Sequence, residues 1–295
     1  MTSIARSDTL LAGPVRPKQS ATMYFMRRNP AVAIGIALIL TMTLLTSFAP
    51  YLNTVDPIKF NPVYRLKPPS EKFWFGTDSF GRDVYSRTIY GGRISLIVGL
   101  SVAVFSTSIG LMIGLVAGYI RAADAILMRI MDGLMAIPSI LLAIALISLT
   151  KASVQSILIA ITIPEIPRVV RLVRAVVLTI REQPYVEAAT AMGTSVPKIL
   201  VRHILPNTLA PLIVQATFIC AAAVLIEAAL GFLGAGTPPE IPSWGNIIAE
   251  GRTYFQIGPW MILFPGLFLA TTVLAINLVG DGLRDLLDPR IARRM

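Results

Sequence analysis

The sequence is short of nearly everything a soluble enzyme uses. It has one cysteine, Cys220, so no internal disulfide can form. It has one histidine, His203, which leaves little for a metal centre or a histidine-based catalytic system. No GxxxxGK[ST] run occurs, so nothing cradles a nucleotide phosphate and ATP is not expected to bind this chain. Charge is also scarce. Only 14% of the 295 residues are Asp, Glu, Lys or Arg, against about 25% in soluble domains. Acids are the scarcer sign, 16 against 26 bases, for a net charge of +10.

What is present is apolar, 55% of the chain. A surface built from this composition would not stay dispersed in water, and the bilayer is its natural solvent. Nucleic acid is a poorer explanation of the positive charge, because the basic residues cluster between long uncharged runs. A helix needs about 20 apolar residues to cross the hydrocarbon. Five uncharged runs answer to that: Ala31 to Ala49, Ile94 to Ile120, Gly133 to Thr150, Ile204 to Ile226 and Thr253 to Gly280. Ala152 to about Val177 is counted as a sixth span, fourth in order, although it holds Glu165, Arg168, Arg171 and Arg174. Its charged half must leave the lipid or face protein. The expected fold class is therefore an all-α integral membrane protein of about six helices. The first run comes after some thirty residues of polar tail and reads as a signal anchor, not a cleaved leader.

Basic residues place both termini in the cytoplasm. The inner segments are then the tail 1–30 (Arg6, Arg16, Lys18, Arg27, Arg28), Arg121 to Arg129, Arg168 to Arg202, and 282–295. Segment 51–93 is also basic, but it is long, is partly offset by Asp56, Glu71, Asp78 and Asp83, and is placed outside. The core transmembrane region is expected over 94–281.

The inner segment between the fourth and fifth spans, about 176–206, is organised. Tyr185 to Met192 reads as a short helix, Gly193 as a turn able to take φ > 0, and Lys198 to Ile204 as a second short helix with Ser195 as N-cap and Pro197 in its first turn. Ala188, Ala189 and Ala191 allow close approach of another surface, and Glu187 is a polar handle. A hairpin resting on headgroups and a docking element for a cytoplasmic partner fit these residues equally well.

Four stretches carry a family resemblance. Glu187-Ala188-Ala189, Gly193 and Ile204-Leu205-Pro206 resemble the EAA loop of binding-protein-dependent ABC importer permeases. Phe75-Gly76-Thr77-Asp78 through Gly81-Arg82-Asp83 to Ser86-Arg87 resembles the GTD…GRD…SR segment of the peptide/nickel subfamily. Ile226 to Gly234 with Pro242-Ser243-Trp244-Gly245, and Asn277 to Asp285 with Leu287-Asp288-Pro289-Arg290 after it, resemble two further signatures. Together they run from about residue 75 to the end and are similar to the C-type subunit of the dipeptide and oligopeptide systems. The chain departs at Gly231, where the family often has Ser, and at Pro167-Arg168. The resemblance implies a bacterial inner-membrane protein paired with a B-type permease, two cytoplasmic ATPases that bind ATP and magnesium, and an extracytoplasmic solute-binding protein. It implies no catalytic residue, metal or cofactor in this chain. It makes Glu187, Ala188, Ala189, Gly193, Leu205 and Pro206 the coupling loop.

Other residues are read individually. Glu165, between Pro164 and Pro167, either lines the path or pairs with Arg168, and the pair is favoured. Asn277 is expected to hydrogen-bond between helices. Asp78, Arg82, Asp83 and Trp244 are assigned to the outer mouth, with Trp74, Trp244 and Trp260 as interfacial anchors. Glu227 comes after 23 uncharged residues and is expected to anchor the turn after span five. Three readings compete with the importer. An intramembrane enzyme would need a nucleophile and base, or metal ligands, within the spans, and His203 stands alone at a membrane edge. A self-contained secondary transporter would show internal repeats, and a membrane scaffold would transport nothing. The solute is not legible.

Overall fold

The computed structural model describes residues 29–238 and 240–287. The basic tail before Asn29 and the Asp288-Pro289-Arg290 end of the last signature lie outside the described residues. Among the described residues nine helices run in order: α1 Pro30–Ser47, α2 Val84–Tyr119, α3 Arg121–Met135, α4 Ser139–Ser148, α5 Val154–Arg181, α6 Pro184–Ala191, α7 Val196–Phe232, α8 Trp244–Thr253 and α9 Trp260–Leu287. Within that same set, β pairing is confined to one isolated bridge, Thr77 to Asp83.

By length and composition, α1, α2, α7 and α9 can each cross a membrane. The third uncharged run is not one straight helix. It is divided between α3 and α4, which meet at 87° and pass the same test only as a pair. Pro138 explains the break: its ring drives Ile137 out of the α region, and Pro138 itself is extended at ψ 131°. The weak fourth span is a continuous 28-residue helix, α5, despite Pro164 and Pro167 inside it. Its charges keep it from qualifying on apolarity. Helix α2 starts at Val84, ten residues ahead of its uncharged run, because Asp83 accepts the Ser86 amide and caps the first turn.

A glycine seam joins α2 to α5. Gly110, Gly114 and Gly118 face Val169, Val173 and Val177 one-to-one; a Cβ on each glycine would meet the opposing valine Cβ at 2.5, 2.7 and 2.6 Å. Where lipid offers no hydrophobic drive, such close backbone approach is what holds helices together. Gly114→Val overpacks that seam and lowers stability by about 1–3 kcal/mol. Thermal unfolding of the detergent-purified protein should show it. Gly133→Ala, with nothing within 4 Å of the added carbon, should leave the transition in place.

Candidate functional site

Two assemblies stand at opposite ends of the long helices. The first is the hairpin of α6 and the base of α7. Pro184 starts α6, where its missing N–H costs nothing. Val186 and Ala189 are buried on one side, while Glu187 and Ala188 are exposed on the other. Glu187 makes no ion pair among the described residues. Gly193 ends α6 at φ +77°, in the left-handed region. Its amide donates to the Thr190 carbonyl at 2.9 Å and the Thr194 amide to the Ala189 carbonyl at 3.1 Å. This pair of bonds is a Schellman C-cap. A Cβ at Gly193 would touch nothing, so backbone conformation alone requires the glycine.

Beyond Gly193 the structure departs from the expected pair of short helices. The second helix does not stop at Ile204; it runs through a π turn, Leu200–Ile204, into the long span. Pro206 accounts for the turn. Its ring crowds the Arg202 carbonyl and it has no N–H to give, so the helix widens by one residue. The Asn207 side-chain amide donates to the His203 carbonyl at 2.7 Å. Leu205 is half-buried and Pro206 exposed. The hairpin is thus one short helix and the N-terminal extension of a 37-residue rod.

The charged half of α5 is tied down by acids that sequence reasoning passed over. Arg174 grips Asp124 with two hydrogen bonds, at 2.5 and 2.6 Å, and Arg171 reaches Asp132 at 2.6 Å. Arg181 donates to the Gly118 carbonyl at 3.1 Å. The only sequence signal was two aspartates eight residues apart in a basic segment. Glu165 is fully buried, and Arg168 stands 3.2 Å from its Oε2 while remaining half-exposed.

The second assembly is a buried ion cluster. Asp78 accepts from the Phe80 and Arg82 amides and from Arg82 Nε at 2.6 Å. Glu250, on α8, takes Arg82 Nη2 at 2.5 Å and Arg87 Nη2 at 3.0 Å. Arg82, Arg87 and Asp78 are each at most 3% exposed. Gly81 turns the chain at φ +72°, where a Cβ would lie 1.8 Å from the Asn61 carbonyl oxygen. Asp83 caps α2, and burial pushes its carboxyl above the ordinary carboxylate range against the opposing pull of Ser86. The cluster thereby fastens the 51–83 segment to α2 and α8. Glu250 was missed entirely, being a lone acid with no motif around it.

Two other expectations change. Trp244 is completely buried, its indole donating to the Thr88 carbonyl at 3.0 Å, so it is a packing residue and neither an interfacial anchor nor a contact for another protein. The GTD-segment tryptophan, Trp74, is half-exposed, and Trp260 donates to the Thr77 carbonyl. Asn277 makes no side-chain hydrogen bond among the described residues. It is only half-buried, so the described helices do not enclose it. Glu227 accepts from the Ser95 hydroxyl at 2.8 Å, joining α7 to α2.

Direct comparison shows which proteins the chain resembles. Residues 110–293 match the family described as "Binding-protein-dependent transport system inner membrane component". The chain is 52% identical to the probable peptide ABC transporter permease protein y4tQ of Sinorhizobium fredii, over 99% of this chain and all of that one. It is 39% identical to the dipeptide transport system permease protein DppC of Haemophilus influenzae, over 97% and 99%. A chain in the inward-facing structure of the MetNI methionine ABC transporter superposes with a TM-score of 0.55 at 24% identity, covering 68% of this chain and 95% of that one. The protein belongs to the family of inner-membrane components of binding-protein-dependent transport systems. It is a multi-pass membrane permease subunit of an ABC importer, a transport component and not a catalytic one.

Proposed function

We propose that this chain is the C-type half of a peptide permease. It pairs with a related B-type subunit above two ATPases that bind ATP and magnesium, and takes small peptides from an extracytoplasmic binding protein. The names of its relatives support the peptide assignment. Both termini lie in the cytoplasm on this reading, as the basic segments require.

One observation supports the mechanism: the exposed face of α6 is joined through the Gly193 cap to a 37-residue helix long and apolar enough to cross the membrane. Closure of the ATPase dimer displaces α6, and α7 turns that displacement into a change in which side of the membrane the cavity faces. ATP binding on the partner stabilises one of two conformers, which is all that such coupling needs. Glu187 and Ala188 form the docking face, Ala189 packs behind it on the buried side of α6, and Leu205 and Pro206 set the π-turned joint. On the other side Asp78, Arg82 and Asp83 brace the outer segment. Glu165 and Asn277 belong to the helices that border the path. The test is reconstitution with and without this chain, with ATP hydrolysis read on addition of loaded binding protein.

A further inference from the structure

The pair with Glu165 accounts for only one nitrogen of Arg168 among the described residues. Arg168 stands near the middle of α5, about 21 Å from the helix start at 1.5 Å per residue. Val169, Val173 and Val177 turn towards α2; Arg168 lies about 140° around the helix from Val173 at 100° per residue, on the far side of that seam. Only its Nη1 is engaged, donating to both Glu165 oxygens at 3.2 and 3.3 Å. Nε and Nη2 make no hydrogen bond among the described residues, and the side chain is 50% exposed. Charged side chains within membrane-spanning helices face water or protein, not hydrocarbon. Leu172, one turn further along the same side, lines a groove of about 490 Å³ between α5, α7 and α9 whose polar groups are Gln215 and Arg284. Arg284 lies in this groove and Arg168 one turn of α5 from its Leu172 wall, held from behind by Glu165.

We propose that Arg168 receives the carboxylate of the transported solute, and that Glu165 holds its guanidinium in position. The inference rests on the peptide-importer reading. A guanidinium anchored through one nitrogen leaves a planar pair of N–H groups for a carboxylate, the geometry that favours Arg over Lys. Every ordinary peptide carries such a group at its C-terminus.

The experiment uses the whole transporter with its own partner subunits, on a Cys220→Ser background. Arg168→Cys should be labelled by a membrane-impermeant methanethiosulfonate and should take up labelled dipeptide about tenfold more slowly. The aminoethyl reagent, which restores a positive charge, should recover most of the uptake; the sulfonatoethyl reagent should not. Should the single variant fail to assemble, Glu165→Gln with Arg168→Cys keeps the site neutral for the same comparison. A thiol that resists labelling places Arg168 under the partner permease and overturns the proposal. Equal uptake with cationic and anionic adducts overturns it also. Wild-type uptake no greater than that of a strain lacking this chain would instead defeat the importer reading on which it rests.

Discussion

Gly193→Pro should abolish uptake while the protein still inserts and is recovered in the membrane at close to normal yield. The observed φ of +77° is closed to proline, whose ring holds φ near −65°. Proline would also delete the amide that donates to the Thr190 carbonyl. The C-cap is lost, α6 is re-aimed relative to α7, and its docking face no longer meets its partner. Gly193→Ala separates conformation from bulk. Space is free at the site, so alanine suffers only the left-handed penalty, about 1–2 kcal/mol. It should leave partial uptake. Glu187→Arg reverses the charge of an exposed residue, and should uncouple uptake without changing the melting temperature. Uptake assays paired with membrane yield check all three. Normal transport by both the proline and the arginine variants would remove the coupling role from this hairpin.

Arg87→Met should cost more stability than overpacking the glycine seam. Arg87 is 1% exposed and shares Glu250 with Arg82. In the cluster, two arginines balance Asp78 and Glu250. Methionine fills much of the volume but leaves Asp78 and Glu250 sharing the single charge of Arg82, so one negative charge in the cluster is uncompensated, a loss of about 3–5 kcal/mol. The companion Arg87→Met with Glu250→Gln restores the balance between Arg82 and Asp78, so it should recover part of the loss. A double-mutant cycle on thermal unfolding of the purified complex gives the coupling between the two sites. Additive losses would mean that Arg87 and Glu250 do not act as a pair.

How much of this was legible depends on how far each residue's partner lay in sequence. α1, α2, α7 and α9 could be read because apolarity over some twenty residues is itself the requirement for crossing. Gly193 could be read because the need for φ > 0 is local. The α3–α4 break was written in Pro138, but an uncharged run does not register a bend. α5 is weak by apolarity, as its sequence indicates, and its full length is not legible because Arg171 and Arg174 look intolerable until Asp132 and Asp124, some forty to fifty residues earlier, are brought beside them. The Gly110, Gly114, Gly118 spacing was readable as a small-residue seam and was passed over. Glu250 and the burial of Trp244 were not readable, since both arise from tertiary contacts that leave no local pattern.

The most direct measurement is ATP hydrolysis by the complete complex in proteoliposomes, with loaded binding protein added. Hydrolysis should rise on addition, labelled dipeptide should accumulate in step, and both responses should vanish when this chain is omitted or carries Gly193→Pro. Dipeptide accumulation by this chain alone, without ATPase subunits or ATP, would contradict its assignment as a coupled permease half.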